Sequence, residues 1–226
     1  MFYYDYYSLV IMLPLLILSV VIQFNLKATY GRYKKINNSH NLTGAQIARA
    51  ILRSADIYDV SVECVPGHLS DHYDPTKKAV RLSEDVYNGT SIASIGIAAH
   101  EVGHAIQHEV EYVPVKIRTS VVGVTNFSSK LLYFLIVLSF AIHFPMLCDI
   151  AVICFLIIFF FQLITLPVEF NASARALKNI KGMGFSSTDV SGVKKVLSSA
   201  ALTYVAAMLV SFGQMLAFIL RFSKRD

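Results

Sequence analysis

Charge is scarce in this sequence. Only 15% of its 226 residues are Asp, Glu, Lys or Arg, against 55% apolar, and soluble domains average roughly 25% charged. The shortage excludes an intrinsically disordered tail, and no Gly-X-Y period suggests a collagen-like rod. The three cysteines, Cys64, Cys148 and Cys154, contain no C-x-x-C pair, which argues against a disulfide-stapled module and against thiolate–metal chemistry. Buried thiols are expected instead, because Cys148 and Cys154 lie in or beside apolar segments. No Lys or Arg precedes Lys27, so the first apolar segment lacks the positive n-region of a cleavable signal peptide. Internal repeats and low-complexity segments are also absent. The net charge of +5 forms no aromatic-interleaved basic patch, so it reads as membrane orientation and not as nucleic-acid binding.

Four stretches carry no Asp, Glu, Lys or Arg at all: Tyr6–Leu26, Leu131–Cys148, Ile150–Val168 and Val196–Leu220. Each is about as long as the 18–20 residues a helix needs to cross ~30 Å of hydrocarbon. The chain is therefore read as an α+β membrane protein, mostly helical, with about four membrane segments and one small hydrophilic domain. Lys27, Arg32, Lys34 and Lys35 follow the first segment, which places the N-terminus outside and residue 27 onward in the cytoplasm. The tyrosines before that segment suit an interfacial anchor, and Pro14 inside it is expected to kink the helix. Segments two and three, broken around His143-Phe144-Pro145 and Cys148-Asp149, read as a helical hairpin that returns the chain to the side it left. Lys116, Arg118, Arg175, Lys178, Lys181, Lys194 and Lys195 flank that side. Arg221, Lys224 and Arg225 disagree if the last segment spans. Either the other charges prevail or that helix is partly embedded among its neighbours.

Between the first two segments, Thr43-x-x-Gln46 reads as a capping box opening a helix with an apolar stripe of Ile47, Ile51 and Leu52. Val60–Val65 and Lys78–Leu82 read as two strands joined through the Asp71–Pro75 loop, and a second helix is expected from about Ser91 through Gln107. That helix carries Ala98-Ala99-His100-Glu101-Val102-Gly103-His104-Ala105. His100 and His104 are one turn apart and share a face, so two imidazoles can reach a single Zn²⁺. Glu101 can act as the general base for an activated water, the H-E-x-x-H pattern of metalloproteases. The plainer alternative, two polar residues on an amphipathic surface, fits poorly with a small-residue, nearly uncharged helix where burying them without a metal is costly. Gly103 suits close approach of a backbone or a substrate.

A hydrolytic zinc site needs a third protein ligand. Glu169, in Leu166-Pro167-Val168-Glu169, is the only acid between Asp149 and Asp189, and the hairpin returns it to the side of the two histidines. Pro167 suits the first turn of a new helix, and the plainer alternative is that Glu169 there only complements the helix dipole. In the Asp71–Pro75 loop, His72 or Tyr73 can donate to a developing oxyanion and Asp71 can orient a ligand imidazole; the alternative reading is a simple Asp-Pro turn. Val80 and Arg81, on a strand expected to be exposed at Ala79–Leu82, would pair with an extended peptide. Arg175 would hold a carboxylate or a lipid phosphate. His108 follows His104 by one turn, but Gln107-His108-Glu109 reads as a fraying end.

The long motifs Pro66–Pro75, Val80–Tyr87, Ala98–Gln107 and Leu166–Ser173 together resemble those of the YugP-type neutral zinc metallopeptidases of bacteria, over about Gln23 to Ala207. More distantly the chain is similar to HtpX-type and CAAX-prenyl membrane proteases. In those an E-x-x-x-D motif supplies the third zinc ligand, which falls on Glu169, while its Asp falls on Ser173. The resemblance implies Zn²⁺, peptidase activity, a zincin-like (gluzincin) helix-plus-β-hairpin core and a multi-pass protein of the bacterial plasma membrane. The apolar segments and the motifs together give an expected division into an anchor (1–26), a catalytic region (27–118), a helical hairpin (119–168), a third-ligand helix region (169–198), a C-terminal membrane helix (199–220) and a basic tail (221–226). The expected function is a zinc-dependent endopeptidase facing the cytoplasm, with metal ligands His100, His104 and Glu169 and catalytic Glu101 and His72. Val80, Arg81 and Tyr73 would contact a peptide or membrane-protein substrate. The rival expectations are a scaffold whose structural zinc is closed by His72 or Asp71, a metal-dependent lipid or amide hydrolase, and, more weakly, a transporter.

Overall fold

The computed structural model describes residues 6–142 and 145–222. The expected anchor at Met1–Asp5, the break at His143-Phe144 and the tail residues Lys224 and Arg225 lie outside the described residues, as do the side chains of Tyr6, Tyr7, Cys148 and Arg221. The elements are α1 (Tyr6–Tyr33), α2 (Gly44–Ser54), β1 (Ser61–Val65), β2 (His72–Asp74), β3 (Ala79–Ser83), α3 (Glu84–Tyr87), α4 (Ile92–Glu109), α5 (Val113–Ile142), α6 (Pro145–Gly182) and α7 (Ser187–Phe222). The protein is mostly helical with one small sheet. It divides into two compact units, one of residues up to Gln23, Lys116–Pro167 and from Leu202, the other of Phe24–Val115 and Val168–Ala201.

The first unit is apolar and helical. Three helices in the described chain are long and apolar enough to cross a membrane, over Leu9–Tyr33, Ile150–Gly182 and Ser187–Leu220. The expected Leu131–Cys148 segment begins in α5 and runs through the two residues that are not described. Leu132 and Leu135 of α5 pack on Ala151, Cys154 and Phe155 of α6, with Met215 and Phe218 of α7 against them, as a helical hairpin requires. Leu16, Ile17 and Val21 of α1 stay exposed, as residues facing acyl chains would. α6 runs unbroken through Pro167, so Glu169 lies mid-helix and not at a helix start. Loss of one N–H at a proline is tolerated in apolar helices when neighbouring groups compensate.

The second unit holds a conventional core of Ile47, Ile51, Val80, Leu82, Ile92, Ile95, Val102, Ile180 and Val193. α2 starts as its sequence dictates. The Thr43 hydroxyl accepts from Gln46 N at 3.2 Å and the Gln46 side chain accepts from Thr43 N at 2.8 Å, closing the capping box. At α7, the buried Asp189 carboxylate accepts from the Ser186 hydroxyl (2.8 Å) and from Ser39 N (3.1 Å), tying the loop before α2 to that helix.

The sheet differs from the expected hairpin. Its order is β1-β3-β2, with β1 and β3 parallel and β2 antiparallel to β3. The stretch expected to be a connecting loop supplies β2 itself. Asp74 Oδ1 accepts from Thr76 N and Lys77 N and so makes the turn into β3, the structural role that an Asp-Pro pair favours. β3 is therefore the central strand, paired on both sides over Ala79–Arg81, and offers no edge there. Cys64, expected buried, is exposed on the edge strand β1.

Replacing Thr43 by Ala removes one donor–acceptor pair of the cap. Unfolding in detergent should register a loss of about 1 kcal/mol, with no change in metal binding.

Candidate metal centre

α4 begins at the Ser91 cap, whose hydroxyl accepts from Ser94 N at 3.0 Å, and continues through Glu109 without the expected fraying. Along it His100, Gly103, His104 and Gln107 fall at i, i+3, i+4 and i+7, a single stripe. Facing it is the stretch of α6 from Val168 to Arg175. The two backbones meet at Gly103: a Cβ there would lie 2.6 Å from the Ala172 carbonyl oxygen, too close for any residue but glycine. The close approach anticipated at Gly103 is thus to backbone.

This contact brings the three expected ligands together. Glu169 Oε2 lies 3.3 Å from His100 Nε2 and 3.6 Å from His104 Nε2. The imidazole rings are edge-on to one another, centroids 4.8 Å apart. All three donor atoms fall within 4.8 Å of one another. The glutamate side chain is 4% exposed, and the imidazoles keep 16% and 14%, so the group is shielded on the glutamate side and reachable on the other. Ligand atoms at about 2.0–2.1 Å from a tetrahedral Zn²⁺ stand about 3.3–3.4 Å apart. The Glu169–imidazole separations match that spacing, and the N,N,O donor set is one that zinc accepts.

The outer nitrogens are also held. The Ser173 hydroxyl sits 3.2 Å from His100 Nδ1, filling the place for which the distant proteases supply an Asp. His104 Nδ1 lies 3.0 Å from Gln107 Oε1. Gln107 is completely buried, and its Nε2 donates to the Val168 carbonyl (2.7 Å) and to Asn171 Oδ1 (3.1 Å). Arg175 Nε donates to the same Asn171 oxygen at 2.8 Å. Such outer contacts orient ligand rings and tune the metal. Burial opposes protonation of His104, but Glu169 and Glu101 outweigh it and hold its pKa above the ordinary imidazole value.

Other expected site residues stand elsewhere. Strand alternation puts His72 on the sheet face of Arg81 and Glu63, opposite the face of Tyr73, Val80 and Leu82 that meets the helical core. Its Nδ1 is engaged by the Ser70 carbonyl at 2.7 Å, so the geometry lends no support to an oxyanion role. Among the described residues Asp71 meets no imidazole. It accepts from Ser83 N and the Ser83 hydroxyl. Val80 is fully buried. Arg81 directs Nε to Glu63 (3.1 Å) and Nη1 to Asp74 (2.9 Å), and both engagements compete with a substrate role. Tyr73 is half-buried and packs on His108, ring centroids 5.4 Å apart. The role of Gln107 and its link to Asn171 were not anticipated; the i, i+3 spacing from His104 was the available signal.

The family model described as "Putative neutral zinc metallopeptidase" matches residues 8–223. A protein of Bacillus subtilis (strain 168) named "Putative membrane protease YugP" is 48% identical over 206 residues, covering 91% of this chain and 92% of its own length. No solved structure matches.

Two substitutions test the assembly. Gly103→Ala should destabilise the protein by about 1–3 kcal/mol through overpacking and weaken zinc binding along with it, as read by melting and chelator competition. Ser173→Ala should leave the melting temperature nearly unchanged while weakening zinc by about tenfold.

Proposed function

The chain belongs to the YugP-type neutral zinc metallopeptidase family, and from that premise we propose that it is a membrane-embedded zinc endopeptidase. The observation that supports this reading best is the convergence of His100, His104 and Glu169 on one point, with Glu101 next to the first ligand on the same helix. Zn²⁺ held by these three residues would supply Lewis-acid polarisation of a peptide carbonyl and acidify a water at neutral pH. Glu101, half-buried beside them, takes the proton from the attacking water and delivers it to the leaving amine nitrogen, so the peptide bond is cleaved without net proton change at the glutamate. The imidazoles and Glu169 do no proton transfer. Their task is to stay fixed, which Ser173 and Gln107 serve.

An extended peptide would lie along β2, one of the two edge strands beside the doubly paired β3, by strand addition. Substrates would be membrane proteins or peptides near the bilayer, in keeping with three membrane-length helices and a relative named a membrane protease. Leu131–Cys148 would supply the fourth membrane segment. The basic residues Lys27, Arg32, Lys34 and Lys35 and those of α5, α6 and α7 flanking the apolar segments favour a catalytic site on the cytoplasmic side of a bacterial plasma membrane. The rival reading, a scaffold with a closed structural zinc, needs a fourth protein ligand. Its candidates are otherwise engaged, Asp71 with Ser83 and His72 with Ser70.

The deciding comparison is wild type against Glu101→Gln, purified in detergent, with zinc measured by elemental analysis and cleavage followed on a peptide library. The variant should retain one zinc per chain and lose activity by at least about 10²-fold, the scale of a general base. Full cleavage by the variant would refute the mechanism. Zinc without hydrolysis by wild type would favour the scaffold.

A further inference from the structure

We propose that Arg175 is a positioning residue for the metal centre: acting through Asn171 and Gln107, it holds His104 in the Nδ1–H tautomer and so keeps Nε2 bare toward His100 and Glu169. The assignment of a metal to this group rests on the function proposed above. The hydrogen-bond polarity does not.

The polarity follows from which groups can only donate and which can only accept. An arginine Nε–H has no acceptor capacity, so the Asn171 atom 2.8 Å from it is the amide oxygen. A backbone carbonyl cannot donate, so the Gln107 atom 2.7 Å from Val168 O is the amide nitrogen. That nitrogen also faces Asn171 Oδ1 at 3.1 Å, and its two hydrogens serve two acceptors. Gln107 Oε1 is left for His104 Nδ1 at 3.0 Å. An amide oxygen can only accept, so Nδ1 carries the hydrogen, and in the neutral ring Nε2 presents its lone pair.

The opposite tautomer has a local advantage, because the Glu169 carboxylate lies 3.6 Å from His104 Nε2 and attracts a proton there. Were Asn171 free to turn over, its NH₂ would face Gln107. Gln107 could then turn in sequence and donate to a bare Nδ1, placing the hydrogen on Nε2, where a metal must bind. Arg175 forbids the first step, since a turned Asn171 would set NH₂ against N–H. Val168 O resists the second. The arginine is thus one turn beyond Asn171 on α6, remote from the reacting atoms, yet it selects the ligand form of an imidazole on α4.

The test uses full-length protein in detergent with ¹⁵N-labelled histidine, stripped of metal and held near pH 9, the His104 signal being assigned by its loss in His104→Gln. Wild type should show His104 as Nδ1–H. Arg175→Leu should show a mixture with substantial Nε2–H and bind zinc about 10–100-fold more weakly in chelator competition. Arg175→Lys, still a pure donor, should retain the wild-type tautomer. The sharper rescue is Asn171→Asp combined with Arg175→Leu: a carboxylate has no NH₂ to turn toward Gln107, so the double variant should recover Nδ1–H without the arginine. It also guards against an Arg175→Leu protein that fails to fold. A wild-type His104 in the Nε2–H form, an Arg175→Leu protein with the tautomer unchanged, or a double variant that stays mixed overturns the proposal. If the tautomer moves as expected but wild type binds no zinc, the relay stands and the metal reading falls.

Discussion

The contact on which the site depends is the meeting of two helix backbones at Gly103 and Ala172. The polar distances from Glu169 to both imidazoles, from Ser173 to His100 and from Gln107 to Val168 and Asn171 all span the α4–α6 interface. Each is a hydrogen-bond-scale separation that tolerates only tenths of an ångström. A glycine on one helix against a carbonyl on the other lets the axes come close enough for short side chains such as Ser173 and Asn171 to reach across. The small residues around the histidines, Ala98, Ala99 and Ala105, are buried in the same packing.

Close packing also explains why three lone-pair donors can be held against each other. Two neutral imidazoles and a carboxylate at these separations repel unless a proton or a metal cation lies between them. The raised pKa of His104 is the form this takes when the cation is a proton. Residues behind the ligands therefore carry as much of the design as the ligands do, and they come from both helices. Ser173 acts behind His100, and Gln107, Asn171 and Arg175 act behind His104.

Much of this was legible in the sequence because the signals are local. A histidine pair at i, i+4 needs only helix geometry, and the capping box at Thr43 needs only three residues. Glu169 was found by scarcity, an isolated acid beside an apolar run. What escaped was decided by non-local packing. The parallel pairing of β1 with β3 depends on a three-residue strand too short to show alternation, so His72–Asp74 read as loop and β3 as exposed. Pro167 suggested a helix start, but an apolar helix can absorb a proline. Gln107 looked like a helix end because nothing in the chain announces that α6 lies opposite to satisfy its amide.

The brevity of β2 carries its own consequence. Three residues span about 10 Å, so a guest chain aligned beside them could be read over only two or three of its positions, and with Arg81 already neutralised by Glu63 and Asp74 there is little charge to read it with. Discrimination among polypeptides would then turn on which segments come undone and straighten within reach, making disorder in the victim, more than its composition, the trait that is selected.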